Sequence, residues 1–223
     1  MRDAKELGEC VSYFREHYKG SKIVVMGHST GCQDAMEYVS GSGVRPPLDG
    51  VILQAPVSDR EALGAGVPED ALKQAVKVAQ EYVKNGQGDQ LLPAIISNRL
   101  FGNTPVSAYR ALSLLSPNKD GDDDYFSSDL PDTVFQKTFG KFTNIPLLIL
   151  CSGNDEHVPP HVDVPGLVRK WSDIVEKSGG IVDRVHGGII KGASHNLEDD
   201  HPDIVHDLCQ RVYDFVVQLD SSV

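Results

Sequence analysis

Ser29, Asp155 and His195 are the residues in this sequence whose types and order can turn a hydroxyl into a nucleophile. Ser29 is the centre of Gly27-His28-Ser29-Thr30-Gly31, a G-x-S-x-G that follows the short apolar run at 22–26 and precedes a helix-like segment. In that setting the motif reads as a nucleophile elbow, a sharp strand-to-helix turn that holds the serine hydroxyl out of the sheet. Side chains larger than hydrogen are expected to clash at Gly27 and Gly31. A serine hydroxyl is a poor nucleophile at neutral pH; it needs a base to take its proton, and the base needs an orienting carboxylate. Asp155 follows the apolar run 145–151, and His195 follows a weaker strand pattern at 181–190. The order Ser, Asp, His, each at or beyond a strand end, is that of a serine hydrolase triad on an α/β scaffold.

The other polar residues carry plainer readings. His28 reads as packed beside the elbow; His157 and His161, just after Asp155, read as exposed loop residues, with shaping of the site entrance as the alternative. Glu198, Asp199, Asp200 and His201 could suggest metal ligands, but acidic residues ahead of Pro202 read more simply as partners of a helix N-terminus. Asp122-Asp123-Asp124 reads as a solvated lid loop, with contact to a cationic or metal-bearing ligand as the alternative. Neither a cofactor nor a metal is called for.

Positioning the triad requires alternating strands and helices. Apolar residues recur at helical spacing over 3–18, 69–84, 163–177 and 202–219, and the segment 31–40 reads as a further helix. Continuous apolar runs at 22–26, 51–55 and 145–151 fit strands buried on both faces. Strand, helix, strand in this order implies right-handed parallel crossovers. The stretch 57–144 breaks the alternation: beyond the helix at 69–84, one helix is expected to start at Thr104-Pro105 and another to run over 130–139. The chain therefore reads as a core of 1–56 and 145–223 with a mainly helical lid at 57–144.

Bulk properties bound the function. The 223 residues fit one domain with an inserted lid. A net charge of -11 argues against a nucleic-acid partner, which needs clustered Lys and Arg. The sequence has no apolar run of transmembrane length, and the charged start Met1-Arg2-Asp3-Ala4-Lys5-Glu6 has no signal-like apolar core. Four scattered cysteines, Cys10, Cys32, Cys151 and Cys209, read as reduced thiols of a cytoplasmic protein.

Longer signatures surround the triad: Gly27-His28-Ser29-Thr30-Gly31-Cys32-Gln33-Asp34, Leu53-Gln54-Ala55-Pro56-Val57-Ser58-Asp59-Arg60-Glu61, Asp124-Tyr125-Phe126-Ser127-Ser128-Asp129-Leu130, Ser152-Gly153-Asn154-Asp155-Glu156-His157-Val158-Pro159 and Gly192-Ala193-Ser194-His195-Asn196-Leu197. With these the chain resembles a fungal and plant group of α/β-hydrolases that includes the fungal siderophore esterases, over about residues 3 to 219. The resemblance implies a serine hydrolase acting on small-molecule esters. For the siderophore branch it implies cleavage of fusarinine C and triacetylfusarinine C. Ser29 would attack, His195 serve as base then acid, Asp155 orient it, and the Thr30 backbone N–H hold the oxyanion. Members of the group carry roughly half the sheet, and a loop with a second oxyanion donor, before the elbow. Neither fits into residues 1–21, so a partial fold without N-terminal strands is expected. The strand at 22–26 then becomes an edge open to self-association. Three readings stay open at this level: an ester hydrolase, a catalytically impaired shortened form that binds without turnover, and acyl transfer or peptide hydrolysis by the same residues.

Overall fold

The computed structural model describes residues 2–117 and 119–221. It divides into two compact units: Met1–Pro56, Asp132–His157 and Val162–Val223 form the first, Val57–Pro131 and Val158–His161 the second.

The first unit is built on a four-stranded parallel sheet in the order β1 (Val24–His28), β2 (Gly50–Gln54), β3 (Leu147–Ser152), β4 (Gly188–Ile190). Every residue of β2 and β3 is buried, as their unbroken apolar runs require. Among the described residues β1 lies at one edge with all its neighbours on one side, the position expected for it. Helices α1 (Arg2–His17), α2 (Gly31–Ser40), α7 (Asp132–Thr138), α8 (Val164–Lys177) and α9 (Pro202–Ser221) flank the sheet. Ile52, Leu148, Leu150 and Ile190 point to one face and pack with Phe215 of α9. Alternation along β3 sends Ile149 to the opposite face, beside Val168 and Ser172 of α8. Trp171 of α8 stacks on Phe139 there, with ring centroids 5.1 Å apart.

The expected strand at 181–190 shrinks to its last three residues. Asp183 folds the preceding stretch into a turn, its Oδ1 accepting the N–H groups of Val185 and His186. Only an isolated bridge, Val182 to Leu147, joins that stretch to the sheet.

The second unit holds α3 (Asp59–Gly64), α4 (Glu69–Lys84), α5 (Ala94–Phe101) and α6 (Ala108–Leu115). Ala79 of α4 meets Ala108 and Ala111 of α6, small residues that let the two helices approach. The helix expected from Thr104-Pro105 begins later. Ser107 is its N-cap, with Oγ accepting the Arg110 N–H at 3.2 Å. The residues before it are instead held by backbone bonds, Leu92 N–H donating to Val106 O at 2.9 Å.

The acidic run is not a solvated loop. Asp124 is buried: its carboxylate accepts Arg60 Nε at 3.2 Å and the Ser127 hydroxyl. Ser58 Oγ, 2.6 Å from Ser127 Oγ, extends that chain and caps α3 by accepting the Glu61 N–H. Asp123 pairs with Arg110, and Asp122 accepts the Tyr109 hydroxyl. Burying a carboxylate demands such partners, and the Ser58–Glu61 and Asp124–Ser128 signatures supply them to each other.

Candidate active site

The site belongs wholly to the first unit and sits at the carboxyl ends of its strands. Ser29 follows β1 and adopts φ +53°, a left-handed conformation unusual for a residue with a side chain. Two contacts hold it there. The Ser29 N–H donates to Gln54 O of β2 at 3.1 Å, and Ser29 O accepts the Cys32 N–H at 2.9 Å. The turn is so tight that a Cβ on Gly27 would lie 2.3 Å from the Gly31 carbonyl oxygen. Gly31 departs from expectation: a Cβ there would meet nothing within 4 Å. Only one of the two glycines is sterically required, because the turn folds the Gly31 backbone onto Gly27 while the Gly31 Cβ direction faces open space. Beneath the turn, the buried Cys32 Sγ donates toward Gly27 O and Gln54 O, each at 3.2 Å. Burial pushes that thiol well above its ordinary range, which keeps it a neutral donor.

Asp155 lies in the loop after β3 and His195 in the loop after β4. The two loops are joined by Gly153 N–H donating to Ile190 O at 2.9 Å and Asn154 N–H donating to Ala193 O at 2.8 Å. The structure brings the three predicted side chains together. Ser29 Oγ lies 2.8 Å from His195 Nε2, and His195 Nδ1 lies 2.8 Å from Asp155 Oδ2. Asp155, with a side chain only 2 % exposed, is shielded from water, and His195 is 7 % exposed. Its bond to Asp155 sets a tautomer with the proton on Nδ1 and leaves the Nε2 lone pair facing the serine. Thr30 is the N-cap of α2, and its N–H meets no acceptor among the described residues. That donor is available to an anion beside Ser29, reinforced by the helix N-terminus.

Three neighbours play a larger part than their sequence contexts indicate. Glu156 Oε2 accepts the His195 backbone N–H at 3.0 Å, and this bond holds the Glu156 carboxyl below its ordinary range. The exposed His157 places its ring edge-on to His195 with centroids 4.6 Å apart. His28 lies 5.0 Å from the same ring, and its Nδ1 donates to Gln54 Oε1. The available signal was adjacency: Glu156 and His157 follow the acid, and His28 precedes the serine. Asp200 has a structural use, its Oδ2 accepting the Ser194 N–H at 2.7 Å. Among the described residues, no three His, Cys, Asp or Glu side chains cluster in a way that could hold a metal ion.

The parallel sheet with a serine elbow and a loop histidine is an α/β-hydrolase arrangement, and comparison with known proteins agrees. The chain belongs to the family described as "Protein of unknown function (DUF1749)", whose model matches residues 1–217. It is 35% identical to "Esterase AN6793" of Emericella nidulans over 282 aligned positions, covering 99% of this chain and 74% of that protein. It is 36% identical to "Fusarinine C esterase sidJ" of Aspergillus fumigatus over 246 positions, covering 89% of this chain and 69% of that one. The solved structure of siderophore hydrolase EstB from A. fumigatus superposes with a TM-score of 0.80 at 35% identity, over 98% of this chain and 75% of that one. The resemblance drawn from the sequence signatures is borne out.

Proposed function

We propose that this protein is a carboxylic ester hydrolase in which Ser29, His195 and Asp155 act as a catalytic triad. The observation that carries the reading is the unbroken Ser29–His195–Asp155 hydrogen-bond chain, with both links at 2.8 Å. In this mechanism Ser29 Oγ attacks the ester carbonyl as its proton passes to His195 Nε2. Asp155 orients the ring and offsets the positive charge it acquires. The tetrahedral oxyanion is held by the Thr30 N–H at the start of α2. Collapse expels the alcohol, protonated by His195, and leaves an acyl-serine. Water, deprotonated by the same ring, then releases the acid and restores Ser29.

Relatives named as esterases and a siderophore hydrolase support ester substrates over peptides. Within that class we propose hydroxamate siderophore esters of the fusarinine type as substrates. The four free cysteines support a cytoplasmic setting; among the described residues, no helix is long and apolar enough to cross a membrane. The test is a panel of fusarinine-type esters, simple aryl esters and peptides, with Ser29→Ala as control. Serine-dependent hydrolysis is expected on esters and not on peptides. Inertness toward every ester would overturn the hydrolase reading, and turnover of aryl esters alone would overturn the siderophore assignment.

A further inference from the structure

The base of the proposed triad is flanked by two other imidazoles that the mechanism does not use. The His28 and His157 rings lie 5.0 and 4.6 Å from the His195 ring, and both side chains are exposed. The chemistry of ester cleavage fixes which half of a substrate lies beside His195. His195 Nε2 must deliver its proton to the leaving oxygen, so that oxygen comes within hydrogen-bond reach of Nε2, about 3 Å. The flanking rings, centred 5.0 and 4.6 Å from the His195 ring, are the imidazoles available to the atoms attached to it. We propose that His28 and His157 determine specificity, selecting esters whose leaving alcohol carries a hydroxyl or amide N–H close to the ester oxygen. This inference rests on the hydrolase reading above.

The polarity of the selected group follows from Gln54. Its Oε1 can only accept, so the bond from His28 Nδ1 puts the His28 proton on Nδ1 and leaves Nε2 as an acceptor in the neutral ring. An acceptor beside the leaving group matches a donor on the substrate. Gln54 is 3 % exposed, and its Nε2 is buried with no partner among the described residues. A half-satisfied buried amide is destabilising. Its bond to His28, which sets that ring's tautomer, is the counterpart its remaining polar atom makes. His157 is anchored by its own N–H donating to Asp155 Oδ1 at 3.0 Å, and its Nε2 stands 4.0 Å from Glu156 Oε1. A hydrocarbon leaving group would strip water from both rings and return no hydrogen bond. A hydroxyl-bearing one would replace that water.

The test compares 2-hydroxyethyl acetate with propyl acetate, which differ by a hydroxyl in place of a methyl, following acetate release by the full chain. Wild type is expected to favour the hydroxyl ester in kcat/KM by about three- to tenfold, the worth of one net hydrogen bond. His157→Phe and His28→Phe should each move that ratio toward one through KM, while His157→Gln, which keeps a polar end, should retain part of it. The exposure of His157 makes its variants the ones that fold readily, so the outcome does not depend on His28→Phe. Equal use of the two esters by wild type, or an unchanged ratio in the Phe variants, would overturn the inference. Failure to turn over either ester while Ser29 still reacts with a fluorophosphonate would overturn it too, leaving the hydrolase reading intact. A folded protein whose Ser29 does not react would remove both.

Discussion

A Cβ added to Gly153 would lie 2.9 Å from the Ile190 carbonyl oxygen and 3.2 Å from the Gly192 nitrogen, both backbone atoms. The loop carrying Asp155 and the loop leading to His195 are therefore in contact at a point with no room for a side chain. Gly153→Ala should push the two loops apart and lengthen the Asp155–His195 bond. We expect kcat to fall by roughly ten- to a hundredfold, with KM changing less, and stability to drop by about 1–3 kcal/mol. Steady-state kinetics and a thermal melt check this; wild-type kcat in the variant would remove the loop contact from the account.

Asp155→Asn keeps the shape of the acid but leaves an amide that cannot offset charge on His195 and that permits the wrong ring tautomer. A loss of about 10⁴ in kcat is expected with the fold intact. Circular dichroism alongside ester turnover separates this from misfolding.

Asp49 supplies a pH dependence of stability. Burial alone would raise its carboxyl. The Ile23 N–H and the Arg15 guanidinium, each 2.8 Å from Oδ2, and Lys22 outweigh this and hold it below its ordinary range. A carboxyl lowered in the folded state contributes stability above its unfolded value, and the contribution disappears as pH falls through the folded one. Urea unfolding should therefore show stability declining as pH falls below about 4, where an unfolded Asp takes up its proton. Asp49→Asn should flatten that part of the curve, and an unchanged slope would contradict the assignment.

The cysteines divide into two classes. Cys10 and Cys209 are exposed, whereas Cys32 and Cys151 are buried. Burial, with Asp155 nearby, pushes the Cys151 thiol up to about 12, so it is neutral as well as inaccessible. A thiol-disulfide reagent should titrate the two exposed groups in the native protein and all four cysteines in denaturant.

We propose that the chain self-associates through the outer edge of β1. Val24–His28 is an edge strand with neither proline nor lysine, and Met26 is 44% exposed. Light scattering across a concentration series should show mass rising with concentration, and Met26→Lys should suppress the rise. A monomer at all concentrations would contradict this use of the edge.

Much of the first unit was legible because its signals are local and strong. β2 and β3 are uninterrupted apolar runs, and the bounds of α4 follow from its apolar stripe and the Asn85-Gly86 stop. The residues of the proposed triad could be singled out because the chemistry fixes an order of residue types at strand ends. What escaped depends on partners distant in sequence. The short helices α3 and α5 carry too few turns to show a period. Asp124 reads as solvated until Arg60, 64 residues away, is placed beside it. The apolar pattern at 181–190 suggests one strand, but Asp183 diverts its first part into a turn. His157 reads as a loop residue with shaping of the site entrance as the alternative, and it lies in a loop. Its position against His195 arises only when two loops 38 residues apart meet.

The central claim is that Ser29 is an activated nucleophile, and peptide mapping after a fluorophosphonate reaction tests it most directly. One covalent adduct is predicted, on the peptide containing Ser29, absent in Ser29→Ala and slowed by several orders of magnitude in His195→Ala. A folded protein that takes no label, or takes it on another residue, would contradict the account.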